Sequence, residues 1–310
     1  MIRTLAMMTS AAIMLAACTT GDAAERADRF SASQMTFRLT APSGRDVPLR
    51  AFVPGEDCSP CSLIIFSHGA YATYDRYDVL LNDWAERGYV VVAPLHVDSE
   101  EHPDRSSWTM ETSRPARLED YALVSNTFAA DGYSLGSFTF DGRQIAAGHS
   151  YGGLIAQVAG GATLDTPGLD LPEATRAPEA IIAISPPSKQ DGLVSNSGFA
   201  NINTPMLVIT GTTDVLPGFI DDWRGHLDGY EAAPDSLAYA LVYDGMDHYF
   251  NGAFGRETEQ GFSAQEAVND LNARIADFIE DALAGTLPTG AGWSAESSEL
   301  VETMTRQGDL

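Results

Sequence analysis

Gly148-His149-Ser150-Tyr151-Gly152, followed by Gly153, is the most informative stretch of this sequence. The apolar run before it, residues 144–147, predicts a short buried strand, and residues 154–159 after it predict a helix. A G-x-S-x-G turn between a strand and a helix is typical of a nucleophile elbow, in which the flanking glycines let strand and helix approach closely. Such a turn exposes the hydroxyl above the sheet, so Ser150 is the candidate nucleophile.

The composition limits the class of protein. The 310 residues suffice for one large α/β domain or two small ones. Acidic residues number 43 against 18 basic ones, which gives a net charge of -25, and Lys189 is the only lysine. Such a surface repels phosphate backbones, so we expect no nucleic-acid partner. We interpret the charge as a solvated acidic coat.

Residues 1–17 are predicted to be a targeting signal rather than part of the fold. Arg3 supplies a positive start, and a short apolar run ends in Leu15-Ala16-Ala17-Cys18. The run is too short to span a bilayer. It resembles a bacterial lipoprotein signal, which implies export and a membrane anchor through acyl chains on Cys18, in the periplasm or at the cell surface. Thr19, the residue after the cysteine, is not an acidic sorting residue, which favours placement of the anchored protein in the outer membrane. The alternative is an ordinary signal peptide cut before the cysteine.

Two further cysteines support export. Cys58 and Cys61 are spaced C-S-P-C and remain as a pair if lipid occupies Cys18. In an oxidising compartment they could close a small disulfide loop, which would stabilise the fold by roughly 2 kcal/mol. A zinc site would need a second ligand pair, and a thioredoxin-like pair would lie at a helix start, whereas this pair precedes a strand.

Strands and helices alternate after a polar tether over residues 18–34. Predicted strands cover residues 35–39, 47–53, 62–66, 89–93, 144–147, 179–184, 206–210 and 237–243. Predicted helices cover residues 75–87, 117–130, 154–159, 219–230 and 263–284. The alternation predicts one α/β domain over residues 35–286, with a mostly parallel central sheet and helices on both faces. Residues 287–310 are predicted to be a loose tail.

In such a sheet ligands bind beyond the carboxyl ends of the strands. A serine there needs a base, and a carboxylate that fixes the tautomer of the base. Of six histidines, only His226 and His248 follow Asp214, as the chain order serine, acid, histidine requires. His248 follows a predicted strand, whereas His226 lies inside a predicted helix, so we favour His248 as base. Asp214, in a turn after a strand, is favoured as acid, with Asp244 and Asp247 as alternatives.

A developing oxyanion needs preorganised donors. In this architecture one donor is the amide after the nucleophile, that of Tyr151. The other is expected in the loop after the strand over residues 62–66, where His68-Gly69 lets the backbone turn inward and offers the Ala70 amide, with Tyr71 as the fallback. His68 would then hold the loop rather than act as a second base. Three aromatic side chains are expected to line the pocket: Tyr71, Tyr74 and His149.

Two other segments leave their roles open. Acidic and imidazole side chains crowd the loop after the strand over residues 89–93, namely His96, Asp98, Glu100, Glu101, His102 and Asp104. They could form a metal site or an acidic pocket rim. Because such a run does not guarantee convergent ligands, we interpret it as a solvated loop and expect no metal. Residues 186–203 could be a lid or a plain surface loop.

Four short motifs together carry a family resemblance. Ser67-His68-Gly69, the motif over residues 148–153, Thr210-Gly211-Thr212-Thr213-Asp214 and Asp247-His248 resemble the α/β-hydrolase superfamily. They are similar in particular to its secreted esterase, acylhydrolase and dienelactone-hydrolase-like branch, which includes platelet-activating-factor acetylhydrolases and cutinase-like polyester hydrolases. The resemblance implies a triad of Ser150, Asp214 and His248. True dienelactone hydrolases have cysteine at the position of Ser150.

These observations lead to one expected activity. We expect a monomeric serine hydrolase that cleaves carboxylic esters, from small molecules to lipids or polyesters, without metal or organic cofactor. A thioesterase, amidase or peptidase would use the same triad, because one triad serves all acyl transfers. A non-catalytic surface lipoprotein that retained the fold is the alternative from another class.

Overall fold

The computed structural model describes residues 32–55, 58–172, 175–256, 264–287 and 301–305. The predicted targeting signal, Cys18 and most of the predicted tether lie outside these residues. Among the residues described, no helix combines the length and the apolarity needed to cross a membrane.

One twisted sheet forms the centre of the domain. Its strands are β1 (Ser33–Thr40), β2 (Asp46–Val53), β3 (Cys61–Ser67), β4 (Val90–Pro94), β5 (Ser134–Leu135), β6 (Phe138–His149), β7 (Ala180–Ile184), β8 (Met206–Gly211), β9 (Ala238–Tyr243) and β10 (Val301–Thr305). They run in the order β1-β2-β4-β3-β6-β7-β8-β9-β10, and β5 pairs with β6. In this order the neighbouring strands from β4 through β3, β6, β7 and β8 to β9 pair in parallel, and antiparallel strands flank them at both edges. The short strand β5 pairs antiparallel with β6.

Helices cover both faces of this sheet. They are α1 (Asp78–Glu86), α2 (Met110–Ala129), α3 (Tyr151–Ala159), α4 (Asn196–Phe199), α5 (Asp228–Ala232) and α6 (Gln265–Ala284). Side chains of β3 alternate between the two faces. Leu63 and Ile65 pack in the cluster that contains α2 and α3, whereas Ile64 and Phe66 pack in the cluster of α1 and α6. Each such side chain, when fully buried, contributes about 1.5–3 kcal/mol. The predicted α/β architecture is therefore confirmed.

A disulfide joins Cys58 to Cys61, the first residue of β3. The sulfur atoms are 2.02 Å apart and the Cα atoms 5.3 Å apart. The pair closes a loop of minimal length next to the first parallel strand, as its spacing predicts.

Of the boundaries that differ from those predicted, four have an evident structural origin. Strand β1 begins at Ser33, inside the predicted tether, because its whole length pairs with β2. Helix α2 begins at Met110 rather than at residue 117, because Thr109 and Thr112 form a reciprocal capping box at this earlier start. Pro115 lies in the second turn of the helix. The helix predicted over residues 219–230 is a 3₁₀ helix, Trp223–Leu227, followed by α5.

The fourth difference concerns the C-terminal tail. The polar composition after residue 287 predicts a loose segment, but Val301–Thr305 pairs antiparallel with β9 and so adds an edge strand to the sheet. An edge strand needs only one partner, so its pairing comes from the exposed backbone of β9 rather than from an apolar pattern of its own.

Candidate active site

Ser150 lies at a strained turn between β6 and α3. Its φ of 53° and ψ of -122° are unusual for a residue other than glycine, and such backbone costs on the order of 1–3 kcal/mol. The Ser150 amide donates to the Ile184 carbonyl at 2.8 Å. A Cβ at Gly148 would collide with the carbonyl of Gly152, and one at Gly152 with that of Ser67. Close packing of β3, β6 and α3 thus requires both glycines of the motif.

Asp214 lies after β8 and contacts His248, which lies after β9. Oδ1 of Asp214 is 2.8 Å from Nδ1 of His248, and Oδ2 accepts the Thr210 hydroxyl at 2.9 Å. Both members of the pair are buried. Because Nδ1 faces a carboxylate it carries a hydrogen, which leaves Nε2 of His248 as a proton acceptor.

The Asp214 carboxylate is ionised. Burial on its own raises the pKa of this group, but contacts with His226 and His248 outweigh burial and hold the pKa well below its usual range. The acid can therefore orient His248 without itself taking up a proton at neutral pH.

Two amides are suitably placed to bind an oxyanion. Tyr151 is the first residue of α3, so its N–H belongs to the first helical turn, whose amides have no acceptor within the helix. Ala70 lies on the loop after β3 and lines the same cavity as Ser150. The fallback donor is engaged elsewhere, because the Tyr71 amide donates to Oδ2 of Asp98 at 3.3 Å.

A buried arginine fixes the direction of the Ala70 amide. Arg117 donates to the Gly69 carbonyl at 3.1 Å and to the His68 carbonyl at 2.7 Å. In a trans peptide the carbonyl of one residue and the N–H of the next point in opposite directions. With the Gly69 carbonyl held by Arg117, the Ala70 N–H therefore points away from Arg117.

Asp98 holds Arg117 in turn. The carboxylate accepts two hydrogen bonds from the guanidinium, at 2.7 and 2.9 Å, and both side chains are completely buried. Burial would raise the pKa of Asp98, but the adjacent Arg117 lowers it well below the usual range. The buried bidentate ion pair between Asp98 and Arg117 thus fixes the guanidinium that donates to the His68 and Gly69 carbonyls.

His68 supports the same loop, as predicted. Its Nδ1 donates to the Gly69 carbonyl at 2.8 Å, and its Nε2 accepts the His96 amide at 3.0 Å. Burial, together with Arg117, holds the pKa of His68 well below its ordinary value, so the ring is neutral. A neutral imidazole is what this pattern needs, with one nitrogen donating and the other accepting.

Ser150 and His248 open into one cavity of about 400 Å³. Its lining includes Gly69, Ala70, Tyr71, Ala72, Arg76, Tyr77, Glu100, His149, Tyr249, Gly255 and Arg256. Of the predicted pocket residues, Tyr71 and His149 belong to this lining. Tyr74 does not, and its ring is covered instead by the guanidinium of Arg50, 4.5 Å from the ring centroid.

His149 connects the loop after β3 to His248. The Gly69 amide donates to the Tyr77 hydroxyl at 3.0 Å, which bonds Nδ1 of His149 at 2.9 Å. Nε2 of His149 then donates to the His248 carbonyl at 2.8 Å. Burial above all lowers the pKa of His149 to about 3, so the ring stays neutral and keeps this direction of donation at neutral pH. One chain of hydrogen bonds therefore couples the two loops that flank Ser150.

Solved structures share this arrangement of strands and helices, although no protein-family profile and no curated protein matches the sequence. A protein assigned as a dienelactone hydrolase from Klebsiella pneumoniae superimposes with a TM-score of 0.54 at 18% identity, over 78% of this chain and 98% of the other. Esterase 2 of Thermogutta terrifontis, phosphorylated by paraoxon, gives 0.56 at 16% identity, over 82% and 95%. An S511A mutant of puromycin hydrolase gives 0.54 at 15% identity, over 81% of this chain and 39% of that chain.

This chain has the α/β-hydrolase fold. The fold explains why Ser150, Asp214 and His248 meet although they are far apart in sequence, since each follows a strand of the same parallel sheet at its carboxyl end. The fold predicted from the motifs is confirmed.

The alternative acids do not reach His248 in this α/β-hydrolase fold. Asp244 is exposed and accepts the Thr212 hydroxyl at 2.9 Å. Asp247 accepts the amides of Tyr249 and Asn251 at 2.9 and 2.7 Å and so caps its own loop. The structure therefore pairs His248 with Asp214.

His226 is also in contact with the acid, a feature that the sequence reasoning missed. It is completely buried on the 3₁₀ helix Trp223–Leu227, with Nε2 2.8 Å from Oδ1 of Asp214. Within the described ranges, Asp214, His226 and His248 are the one group of donors close enough to hold a metal ion. Because Oδ1 lies at hydrogen-bond or ion-pair distance from both rings, we interpret the group as an acid held between two imidazoles.

The crowded loop after β4 has a structural role at its start. His96 and Asp98 are buried, with Nδ1 of His96 2.9 Å from Asp120 and Asp98 paired with Arg117. The interpretation of a solvated loop is wrong for these two residues, because buried charged side chains partner them, the Asp120 carboxylate for His96 and the Arg117 guanidinium for Asp98. Glu100, Glu101 and Asp104 are exposed, as predicted.

The segment over residues 186–203 packs as a loop of the α/β-hydrolase domain. Val194 and Phe199 are completely buried, and the cavity lining contains no residue of the segment. These contacts favour the plain loop over the lid.

Proposed function

We propose that this protein is a serine hydrolase that cleaves carboxylic esters through an acyl-enzyme intermediate. One observation carries the proposal: Ser150, on a strained elbow, shares a cavity with His248, whose Nδ1 is held by the buried, ionised Asp214. A hydroxyl becomes a useful nucleophile only when a correctly oriented base removes its proton, and this arrangement supplies such a base.

The reaction would proceed in two halves. The Ser150 oxygen attacks the acyl carbonyl while Nε2 of His248 takes its proton, and the carbonyl oxygen becomes an oxyanion that accepts from the Ala70 and Tyr151 amides. Collapse of the adduct expels the alcohol, which leaves with the proton from His248. Water then attacks the acyl-enzyme with His248 again as base, and the carboxylic acid departs as Ser150 regains its proton. Each oxyanion donor is expected to lower the barrier by about 3 kcal/mol.

The structural neighbours favour ester substrates. Two of the three are described as an esterase and a dienelactone hydrolase, and the esterase is phosphorylated by paraoxon. Fold similarity at this level of identity supports the reaction class by analogy. Thioesterase, amidase or peptidase activity is therefore an alternative that a panel of substrates must distinguish from ester hydrolysis.

We further propose that the enzyme works outside the cytoplasm, anchored to a membrane through a lipidated Cys18. The sequence before Cys18 supports export, and the Cys58–Cys61 disulfide is typical of an oxidising compartment. Several acyl chains, at about 0.8 kcal/mol for each buried methylene, suffice for stable attachment.

The anchor can be tested separately from catalysis. Changing Cys18 to Ser is expected to move the protein from the membrane fraction to the soluble fraction, because the acyl chains can no longer be attached. Hydrolysis of a soluble ester should remain unchanged. A variant that stays in the membrane fraction would refute the anchor without affecting the proposed chemistry.

The proposed chemistry is tested by labelling with a fluorophosphonate. We expect one label per chain in the wild type, because the elbow serine attacks phosphorus as it attacks an acyl carbon, and none in Ser150→Ala. Ser197→Ala is the matched control, since Ser197 is an exposed serine on α4, and its labelling should equal that of the wild type. The measurement is the intact mass of the protein.

A substrate panel then decides the acyl class. Nitrophenyl esters should be turned over faster than the corresponding thioesters and anilides, with Ser150→Ala as the blank. A preference for the anilide would replace the ester proposal with an amidase or peptidase. Folded wild-type protein that takes up no label at all would favour a non-catalytic lipoprotein.

A further inference from the structure

The carboxylate of Asp214 lies between two imidazole rings. Its Oδ1 is 2.8 Å from Nδ1 of His248 and 2.8 Å from Nε2 of His226. The two rings also stack on each other, with centroids 5.6 Å apart and planes inclined by 30°. At these distances the carboxylate contacts both rings directly, and all three side chains are buried. His226 thus touches both the acid and the base of the proposed triad.

The backbone fixes the other side of His226. Its Nδ1 is 2.6 Å from the Pro186 carbonyl oxygen, which can only accept, so Nδ1 carries a hydrogen. Its Nε2 has no aligned hydrogen-bond partner among the described residues, although Oδ1 of Asp214 is close. The contact is therefore mainly electrostatic. A buried nitrogen against an anionic oxygen is unfavourable unless a proton lies between them.

We propose that His226 is a positioning residue for Asp214, keeping a proton on Nε2 against the carboxylate so that the acid stays ionised and oriented toward His248. The inference rests on the function proposed above and adds a fourth residue to its machinery. His226 is separated from substrate, because the lining of the cavity includes His248 and not His226. It can act on the reaction only through Asp214 and His248.

The charges around His226 set the expected pH effect. The titratable groups that face it are Asp214 and His248, and the His149 ring adjoins His248, with centroids 4.8 Å apart. Charged side chains on the adjoining segments pair with each other, Lys189 with Asp228 at 3.1 Å and Arg224 with Asp222 at 3.2 Å. A proton kept on Nε2 of His226 against Asp214 places positive charge beside His248. Loss of that positive charge should change the pH dependence of the reaction.

The test compares two substitutions at one position. His226→Phe keeps a stacked ring but removes both nitrogens, whereas His226→Gln keeps an amide that can donate to Asp214. We expect His226→Phe to lower kcat by up to about 100-fold, with KM unchanged, because the acid is no longer held in place. The acid limb of its profile of kcat/KM against pH should move to higher pH. His226→Gln should recover part of kcat.

A second histidine provides the matched control. His102 is partly exposed and outside the cavity lining, so His102→Gln should leave kcat and the acid limb as in the wild type. Wild-type kcat and an unmoved acid limb in folded His226→Phe overturn the proposal. Should that variant fail to fold, a wild-type profile in His226→Gln overturns it equally.

One readout does not depend on turnover. The proton between His248 and Asp214 should give a far-downfield N–H signal in the proton NMR spectrum of the resting protein. The signal is expected to shift in His226→Phe and to stay in place in His102→Gln. Failure of the proposed function would instead appear as absent fluorophosphonate labelling at Ser150 in the wild type, so the two failures are distinguishable.

Discussion

Asp214→Asn is expected to lower kcat by a factor of about 10⁴ with little change in KM. The asparagine side chain can present its amide NH₂ to Nδ1 of His248, which then becomes the accepting nitrogen. The proton moves to Nε2, and the base toward Ser150 is lost. The same substitution removes the negative charge that faces His226, so neither imidazole is held by a carboxylate. Steady-state kinetics with a nitrophenyl ester measures the effect.

Asp244→Asn is the matched control for this variant. It removes an equal charge from the loop directly before His248. Asp244 is exposed, and within the described part of the chain its side chain bonds only the Thr212 hydroxyl. Its kcat should stay within about twofold of the wild type, as for most surface changes. If Asp244→Asn lost its activity while Asp214→Asn kept it, the assignment of the acid would be wrong.

The sequence contains enough to predict the centre of this site. Ser150 is flanked by glycines whose absence of a side chain is required by the packing of β3, β6 and α3. Asp214 and His248 each follow a strongly apolar strand in the order that the fold requires. Local pattern and chain order therefore suffice, because each of these residues is placed by the strand directly before it.

The supporting residues could not be predicted in the same way. His226 lies on a short 3₁₀ helix without a strong periodic pattern, and its contact with Asp214 depends on how that helix folds back over β8. Arg117 lies in the middle of a helix, where arginine is normally a surface residue. Its burial follows from Asp98, a partner 19 residues earlier that local patterns do not reveal. Long-range partners decide both positions.

Tyr77 shows a third limit. Tyr74 and Tyr77 both lie close to the oxyanion loop in sequence, and both are buried in the structure. Tyr77 lines the cavity and bonds Gly69 and His149, whereas the ring of Tyr74 is covered by Arg50. His149 and Arg50 are distant in sequence and local spacing does not reveal them, so the sequence could name the segment but not the residue.

The supporting contacts converge on two loops. Arg117 and His68 hold the loop that offers the Ala70 amide, and His226 holds the acid behind His248. His149 joins the two sides by a hydrogen bond to the His248 carbonyl. Preorganisation of this kind matters because dipoles that are already oriented need no rearrangement when charge develops. Residues remote from substrate should therefore affect kcat more than KM.

Arg117→Met should have the largest effect on stability. The substitution leaves the carboxylate of Asp98 buried without its cation, and breaking a buried pair in this way costs about 3–5 kcal/mol of the free energy of unfolding. It also removes one of the two hydrogen bonds to the Gly69 carbonyl and leaves only that from His68, so the direction of the Ala70 amide is less firmly fixed. Full loss of one oxyanion donor would lower kcat about 100-fold, and the expected fall in kcat lies below that limit. Denaturant unfolding and ester kinetics measure the two effects separately.

The double variant Asp98→Asn/Arg117→Met separates charge from orientation. Removing the stranded carboxylate should recover much of the lost stability, while kcat stays below the wild-type value because the His68 and Gly69 carbonyls still lack their hydrogen bonds from Arg117. The pH dependence gives a second check. The folded-state pKa of Asp98 is depressed by Arg117, so its contribution to stability is present above the unfolded value of about 3.9 and is lost as the pH falls below it. The double variant should lack this part of the acid destabilisation. If it regained wild-type kcat, the hydrogen bonds from Arg117 to the loop would have no catalytic role.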